Sequence, residues 1–195
     1  MSLRLETLTG DNIARVIDGV AQLRIRVFRD WPYLYDGDLA YERSYLQSYQ
    51  TTPRALVVAA WAGEQLVGAS TALPLGDADS DFAKAFNGSG YRVSDIFYCA
   101  ESVLLPEYRG QGAGHRFFDL REEHAKASGF VHSAFCSVIR PSDHPARPPA
   151  YRPLDPFWRD RGYHPLEDVI ARFAWRDLGA TDESDKALQF WIKPL

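Results

Sequence analysis

The chain has 195 residues, with 22 Lys+Arg against 26 Asp+Glu and a formal net charge of −4. Its length suits one ordinary globular domain, and 46% hydrophobic with 25% charged residues excludes a disordered or fibrous chain. The acid excess argues against a nucleic-acid partner, which needs a basic face to displace counterions, and leans towards a cationic small ligand.

No apolar run approaches the roughly 20 residues that cross a bilayer, and the opening segment MSLRLETLTG lacks the apolar core of an export signal, so a soluble cytoplasmic protein with no membrane contact is expected. Residues 11–29 predict a helix. Ile13, Val16, Ile17, Val20, Leu23, Val27 and Phe28 recur at three- and four-residue steps, with Thr9 as N-cap and Asp11 in the first turn. Pro32 and Gly37 interrupt the aromatic segment that follows, and a tyrosine-rich helix is expected over 39–49. Segments 54–61 and 66–75, rich in Val, Ala and Thr around a turn, predict a β-hairpin. Residues 76–94 read as a connecting loop with a helical turn near 82–86. A strand over 96–105 ends at Pro106, a helix over 115–128 stops at Gly129, and another strand covers 130–139. The proline-rich passage that follows predicts neither helix nor core. A short helix over 156–161 ends at Gly162, and strands are expected over 169–175 and 187–193. The pattern predicts a single domain over 1–195, of α/β (α+β) class, with a largely antiparallel sheet and one strand–turn–helix–strand crossover.

The segment with chemical character is Val103-Leu104-Leu105-Pro106-Glu107-Tyr108-Arg109-Gly110-Gln111-Gly112-Ala113-Gly114, which runs from a strand directly into a helix. The first N–H groups of a helix have no intrahelical partner and carry the positive end of its dipole. Three glycines in five residues let that backbone approach an anion closely, and a phosphate or pyrophosphate is the natural guest. A Walker loop is excluded because no Lys-Ser or Lys-Thr follows the last glycine. A dinucleotide fingerprint starting at Gly110 would need glycine where His115 stands, and an acidic residue about 20 positions on, where Phe130 stands. A glycine corner needed for packing alone is the bland alternative. The two cysteines, Cys99 and Cys136, and the five histidines show no ligand spacing, so no metal is expected.

Arg109, Gly112 and Gly114 satisfy the pattern Arg/Gln-x-x-Gly-x-Gly/Ala, and with the preceding Pro-Glu-Tyr-Arg-Gly register the turn resembles the acetyl-CoA motif of the GNAT N-acetyltransferase superfamily. The resemblance extends over the whole order of elements, and Phe157-Trp158-Arg159-Asp160-Arg161-Gly162-Tyr163 is similar to that family's second signature. It implies a sheet of about six to seven strands flanked by about four helices, with two central strands splayed apart. It also implies acetyl-CoA as co-substrate. The backbone of Arg109, Gly110, Gln111, Gly112, Ala113, Gly114, His115 and Arg116 would hold the pyrophosphate, with the amides of 111–116 as donors. Val103, Leu104 and Leu105 would line the pantetheine arm, and Phe157 and Trp158 would flank it. The implied reaction is direct attack of an amine, from a small molecule or less expectedly a protein, on the thioester. A non-catalytic acyl-CoA sensor and a transferase for a larger acyl group are the alternatives. Family members often dimerise through late strands, so a homodimer is a further implication.

An aliphatic amine with a pKa near 10.4 must lose a proton before it attacks. Alternation along the strand places Phe97, Cys99, Glu101, Val103 and Leu105 on one face until a bulge intervenes. A carboxylate on that apolar face is the candidate base, with a structural pairing of Glu101 to an arginine as the equal alternative. Trp158 occupies the position where many relatives carry an acidic tyrosine. Tyr163 or Tyr151 are the candidate substitutes, or the thiolate leaves with help from water. The resemblance places the acceptor beside Tyr33, Tyr35 and Asp36. An aromatic wall with a cation-attracting acid is one reading of these residues, and a cap on the first helix is the other. The arginines at 140, 147 and 152 could suit an acceptor carboxylate, touch coenzyme phosphates or be solvated.

Overall fold

The computed structural model describes residues 3–195. A single seven-stranded sheet runs in the order β1-β2-β3-β4-β5-β7-β6 and is antiparallel except where β4 meets β5. Its strands are β1 (Arg4–Leu8), β2 (Leu56–Ala62), β3 (Gln65–Pro74), β4 (Ile96–Leu104), β5 (His132–Val138), β6 (His164–Arg176) and β7 (Glu183–Pro194). Among the described residues the α-helices are α1 (Ile17–Phe28), α2 (Leu39–Thr51), α3 (Ser80–Lys84), α4 (Ala113–Ala127) and α5 (Asp155–Asp160), in keeping with the about four expected. None of the described helices is long and apolar enough to cross a membrane.

Two departures from the sequence reading occur at the N-terminus. Arg4–Leu8 forms an edge strand paired with β2, and only Leu8 of it is fully buried, so its apolar alternation is faint. The first helix begins at Ile17; residues Gly10–Arg15 form a 3₁₀ turn, and Thr9 makes no side-chain cap. α2 begins where expected, because Asp38 accepts a 2.9 Å hydrogen bond from the Tyr41 amide. It is carried inward by Glu42, Leu46 and Tyr49.

Successive residues of β4 face opposite sides of the sheet. Phe97 meets Phe130 and His124 on the α4 side (ring centroids 5.1 and 5.6 Å), while Tyr98 meets Phe82 and Phe190 on the other (5.2 and 5.8 Å). Two irregularities in the middle of the sheet shape everything that follows. Thr71 pairs with Glu101 and Leu73 with Tyr98, so Cys99 and Ala100 both stand opposite Ala72, which is a β-bulge. β4 and β5 pair only through Ile96–His132, Phe97–Ser133 and Tyr98–Ala134; beyond Tyr98 the two strands continue without pairing and leave a gap.

Candidate active site

The gap is bordered at one end by the glycine turn. Gly110 and Gly112 hold φ of +77° and +80°, a region that L side chains rarely adopt. Among the described residues, the amides of Gly110, Gln111, Gly112, Ala113, Gly114 and His115 find no protein acceptor, whereas the Arg109 amide donates to the Pro106 carbonyl (3.1 Å) and the Arg116 amide to the Gly112 carbonyl (3.3 Å). The open donor set thus starts one residue earlier than expected and excludes Arg116, whose N–H the helix itself uses. A Cβ built on Gly112 meets nothing within 4 Å, so the turn is open at that position. The residues therefore fit a diphosphate. Phe157 lies against this turn, 3.7 Å from a Cβ built on Gly114 and 4.8 Å, centroid to centroid, from His115. Trp158 packs instead on Phe135 and Trp191.

The register corrects the expected strand edge. The Leu105 amide donates to the Val67 carbonyl of β3 at 3.0 Å, and antiparallel alternation then turns the polar groups of Val103 to β3 as well. Ser102 and Leu104 are the residues whose backbone faces the gap. Arg109 already engages the Leu104 carbonyl through Nε (3.1 Å), and Ser102 is exposed in mid-sheet. A serine set among the mostly apolar residues of the strand was the available sequence signal.

On the other side of the gap lies a cavity of about 560 Å³ between α1, α2 and the β6–β7 hairpin. It collects Tyr33, Tyr35 and Asp36 from the loop after α1, and Ala100, Glu101 and Cys136 from the split strands. The bulge explains why Glu101 is here: one extra residue puts it on the face of Tyr98, opposite the face of Cys99, contrary to simple alternation. Asp36 is ion-paired with Arg176 at 2.9 Å. Burial, aided by neighbouring charge, raises the hydroxyl pKa of both Tyr33 and Tyr35. These aromatics line the cavity and also close the end of α1, where Tyr33 lies 4.3 Å from Phe28.

Glu101 is not alone. Arg24 on α1 places Nη1 2.5 Å from Glu101 Oε1, and its Nε donates to Glu42 of α2. Burial opposes the charge on Arg24, but the carboxylates of Glu101 and Glu42 hold its pKa well above the usual guanidinium value. Tyr45 donates a long 3.4 Å bond to Glu101 Oε2 and lies 3.0 Å from the Tyr49 hydroxyl. Sequence reasoning did not single out Arg24 or Glu42. The signal was present, because Arg24 falls in step with Val20 and Phe28 and Glu42 in step with Leu46 and Tyr49, so each charge sits on a buried stripe.

The substitute acids do not reach the cavity. The Tyr163 hydroxyl sits on the α4 face, 2.7 Å from Ser133 Oγ, and donates to Glu122 at 3.0 Å; burial raises its pKa far above the ordinary tyrosine value. Tyr151 packs near Trp31 and does not line the cavity. Arg140 is largely engaged: it donates to the Pro32 and Tyr33 carbonyls (2.9 and 2.7 Å) and makes a bidentate pair with Asp177, so its charge is already answered by a carboxylate of the protein. Among the described residues no cluster of three metal-ligating side chains occurs.

Burial pushes the Cys136 thiol up to about 12 and raises that of Cys99 as well. Both cysteines are expected to react with DTNB on the order of a thousandfold more slowly than free cysteine while the chain is folded. Both should react at once in guanidinium, with absorbance at 412 nm as the readout.

Solved structures resemble the whole chain. An acetyltransferase from Thermus thermophilus shares 16% identity at a TM-score of 0.57, covering 100% of this chain and 98% of that one. The yncA protein of Salmonella typhimurium, determined with its cofactor acetyl-CoA, shares 10% at 0.59 over 100% and 95%. A Drosophila melanogaster polyamine N-acetyltransferase shares 10% at 0.62 over 100% of both. At such identities the likeness concerns the fold alone. No curated protein matches the chain significantly. The fold likeness is joined by a sequence match over residues 21–152, more than half the chain, and by it the protein belongs to the acetyltransferase (GNAT) family, whose members use acetyl-CoA.

Proposed function

We propose that the chain is an N-acetyltransferase that moves the acetyl group of acetyl-CoA to the primary amine of a small molecule by direct attack in a ternary complex. The observation that carries this reading is the continuity of three features. An amide-lined turn leads into an unpaired stretch between β4 and β5, and that stretch opens on a cavity floored by Ala100 and Glu101. Acetyl-CoA, when bound, supplies the activated thioester. The amides of residues 110–115 hold the diphosphate, the Ser102 and Leu104 backbone borders the arm, and the bulge at Cys99 and Ala100 offers an N–H to the developing oxyanion. Glu101 Oε2, engaged only by the long Tyr45 contact, accepts the proton that the incoming ammonium must lose. A thiol-like leaving group with pKa near 8.5 departs with water as its proton source, since Trp158 and Tyr163 supply none.

The test is acetyl-CoA with pooled amines, followed by free thiol with DTNB. Thiol release that saturates with amine is expected, and Glu101→Gln should lower it by about 100-fold or more, most at low pH where the amine is most protonated. An unaltered pH–rate profile would dismiss Glu101 as the base. The tryptophan at position 158 favours one second reading, an acyl-CoA sensor; saturable acetyl-CoA binding with no thiol release across broad pools would establish it. Tighter binding of a longer acyl-CoA would instead point to a larger acyl group.

A further inference from the structure

The charges around the cavity do not balance. Arg24 answers both Glu42 and Glu101, and the three side chains are 11%, 0% and 5% exposed, so one guanidinium faces two carboxylates almost out of water. Burying an unanswered charge is costly. Across the whole lining, six carboxylates stand against two guanidiniums. The second guanidinium, Arg176, is engaged by Asp36 at 2.9 Å. At the exposed mouth Asp182 accepts only the neighbouring Thr181 hydroxyl (2.8 Å), and Glu183 stands beside it on the hairpin.

A second, independent observation points the same way. Glu42 is fully buried and lines the cavity, and no donor meets its Oε1 in good hydrogen-bond geometry, although the Tyr35 hydroxyl stands near enough to the carboxylate to feel it. Such an oxygen is costly unless a donor completes it. The walls are aromatic, and the quadrupole of an aromatic face favours a cation. Arg24 already uses them, lying 4.5 Å from the Tyr45 ring centroid and 5.1 Å from that of Phe28. The nearby arginine that could have welcomed an anionic acceptor, Arg140, is spent on Asp177 and two carbonyls.

We propose that this cavity is a binding site for an organic dication without a carboxylate: one ammonium docks on the Glu42–Glu101 pair inside the aromatic walls, and a second cationic group is held by Asp182 and Glu183 at the mouth. This substrate class rests on the acetyl-transfer reading of the same cavity, but the cation site can be tested without turnover. Binding of 1,4-diaminobutane, n-butylamine and 4-aminobutyrate is measured by calorimetry, on the protein alone and saturated with coenzyme A. The diamine should bind at least tenfold tighter than n-butylamine, and 4-aminobutyrate at least tenfold weaker than n-butylamine. Added salt should erode the diamine's advantage first, because its second contact is exposed.

Two variants separate this site from a merely structural ion-pair cluster. In the double variant Asp182→Asn/Glu183→Gln the preference for the diamine over n-butylamine should disappear. In Glu42→Gln the triad becomes one guanidinium against one carboxylate, so cation affinity should fall at least tenfold while the melting temperature stays level or rises. A lower melting temperature with unchanged cation affinity would overturn the proposal. So would equal affinity for the diamine and n-butylamine, or for n-butylamine and 4-aminobutyrate. Failure of the acetyl-transfer reading looks different: cations would bind with the stated preference, yet no pooled amine would release thiol from acetyl-CoA.

Discussion

Gly112→Gln is expected to raise the dissociation constant for acetyl-CoA by about 100-fold or more, and to lower the melting temperature by only a few degrees. The two effects have separate causes. A non-glycine residue at the φ of +80° found at Gly112 costs about 1–2 kcal/mol. For a chain of this size that is roughly 2–4 °C per kcal/mol. The binding loss is larger because the new side chain grows from the middle of the turn that carries the six open amides, and nothing of the protein lies within 4 Å of its Cβ to hold it aside. Displacing two charge-assisted hydrogen bonds, at about 1.5–3 kcal/mol each, accounts for the predicted factor. Gly110→Ala is the control: it carries the same kind of strain, at a φ of +77°, with a side chain of one carbon. Calorimetric titration of both variants decides the matter. If Gly112→Gln binds as well as the parent, the diphosphate site is not at this turn.

The largest loss of stability is expected from Arg24→Met. The replacement keeps the unbranched stem of the side chain but leaves Glu42 and Glu101 facing each other with no guanidinium between them. Removing one partner from a buried ionic group costs about 3–5 kcal/mol. At about 2–4 °C per kcal/mol this is a fall of order 10 °C in melting temperature. The triple variant Arg24→Met/Glu42→Gln/Glu101→Gln should recover much of it, since neutral amides can bond to one another and to Tyr45. Thermal unfolding of the two proteins side by side is the measurement. A shift of less than 2 °C in Arg24→Met would mean that the carboxylates are answered by something other than Arg24.

What could be read in the sequence was whatever depends on local pattern. The apolar stripe of α1, the β2–β3 hairpin, the β4–turn–α4–β5 crossover and the glycine turn all announce themselves in contiguous stretches of sequence, and the structure has each of them. What could not be read depends on partners distant in the chain. β1 is visible only once β2 offers it an edge. The bulge at Cys99 and Ala100 carries no residue signature, and it moves Glu101 from one face of the sheet to the other. Alternation likewise could not say which of Val103, Leu104 and Leu105 would turn towards β3, because that is fixed by register with Val67, Gly68 and Ala69. Tyr163 looked available as an acid until Ser133 and Glu122, 30 and 41 residues away, were seen to occupy its hydroxyl.

The Arg140–Asp177 clamp has a consequence for how donor and acceptor recognition are apportioned along the chain. Arg140 ties the loop carrying Tyr33 to the tip of the β6–β7 hairpin, and that hairpin contributes Phe173, Trp175 and Arg176 to one wall of the cavity. The sequence match to the family ends at residue 152, before the hairpin begins. Under the proposed function, the glycine turn that would hold the coenzyme lies inside that match, whereas one wall of the amine cavity lies beyond it, on a hairpin fastened to the Tyr33 loop by Arg140, by the Arg176–Asp36 pair and by backbone hydrogen bonds. If the cavity takes the amine as proposed, changes in that hairpin are expected to alter the choice of amine more than the hold on the coenzyme.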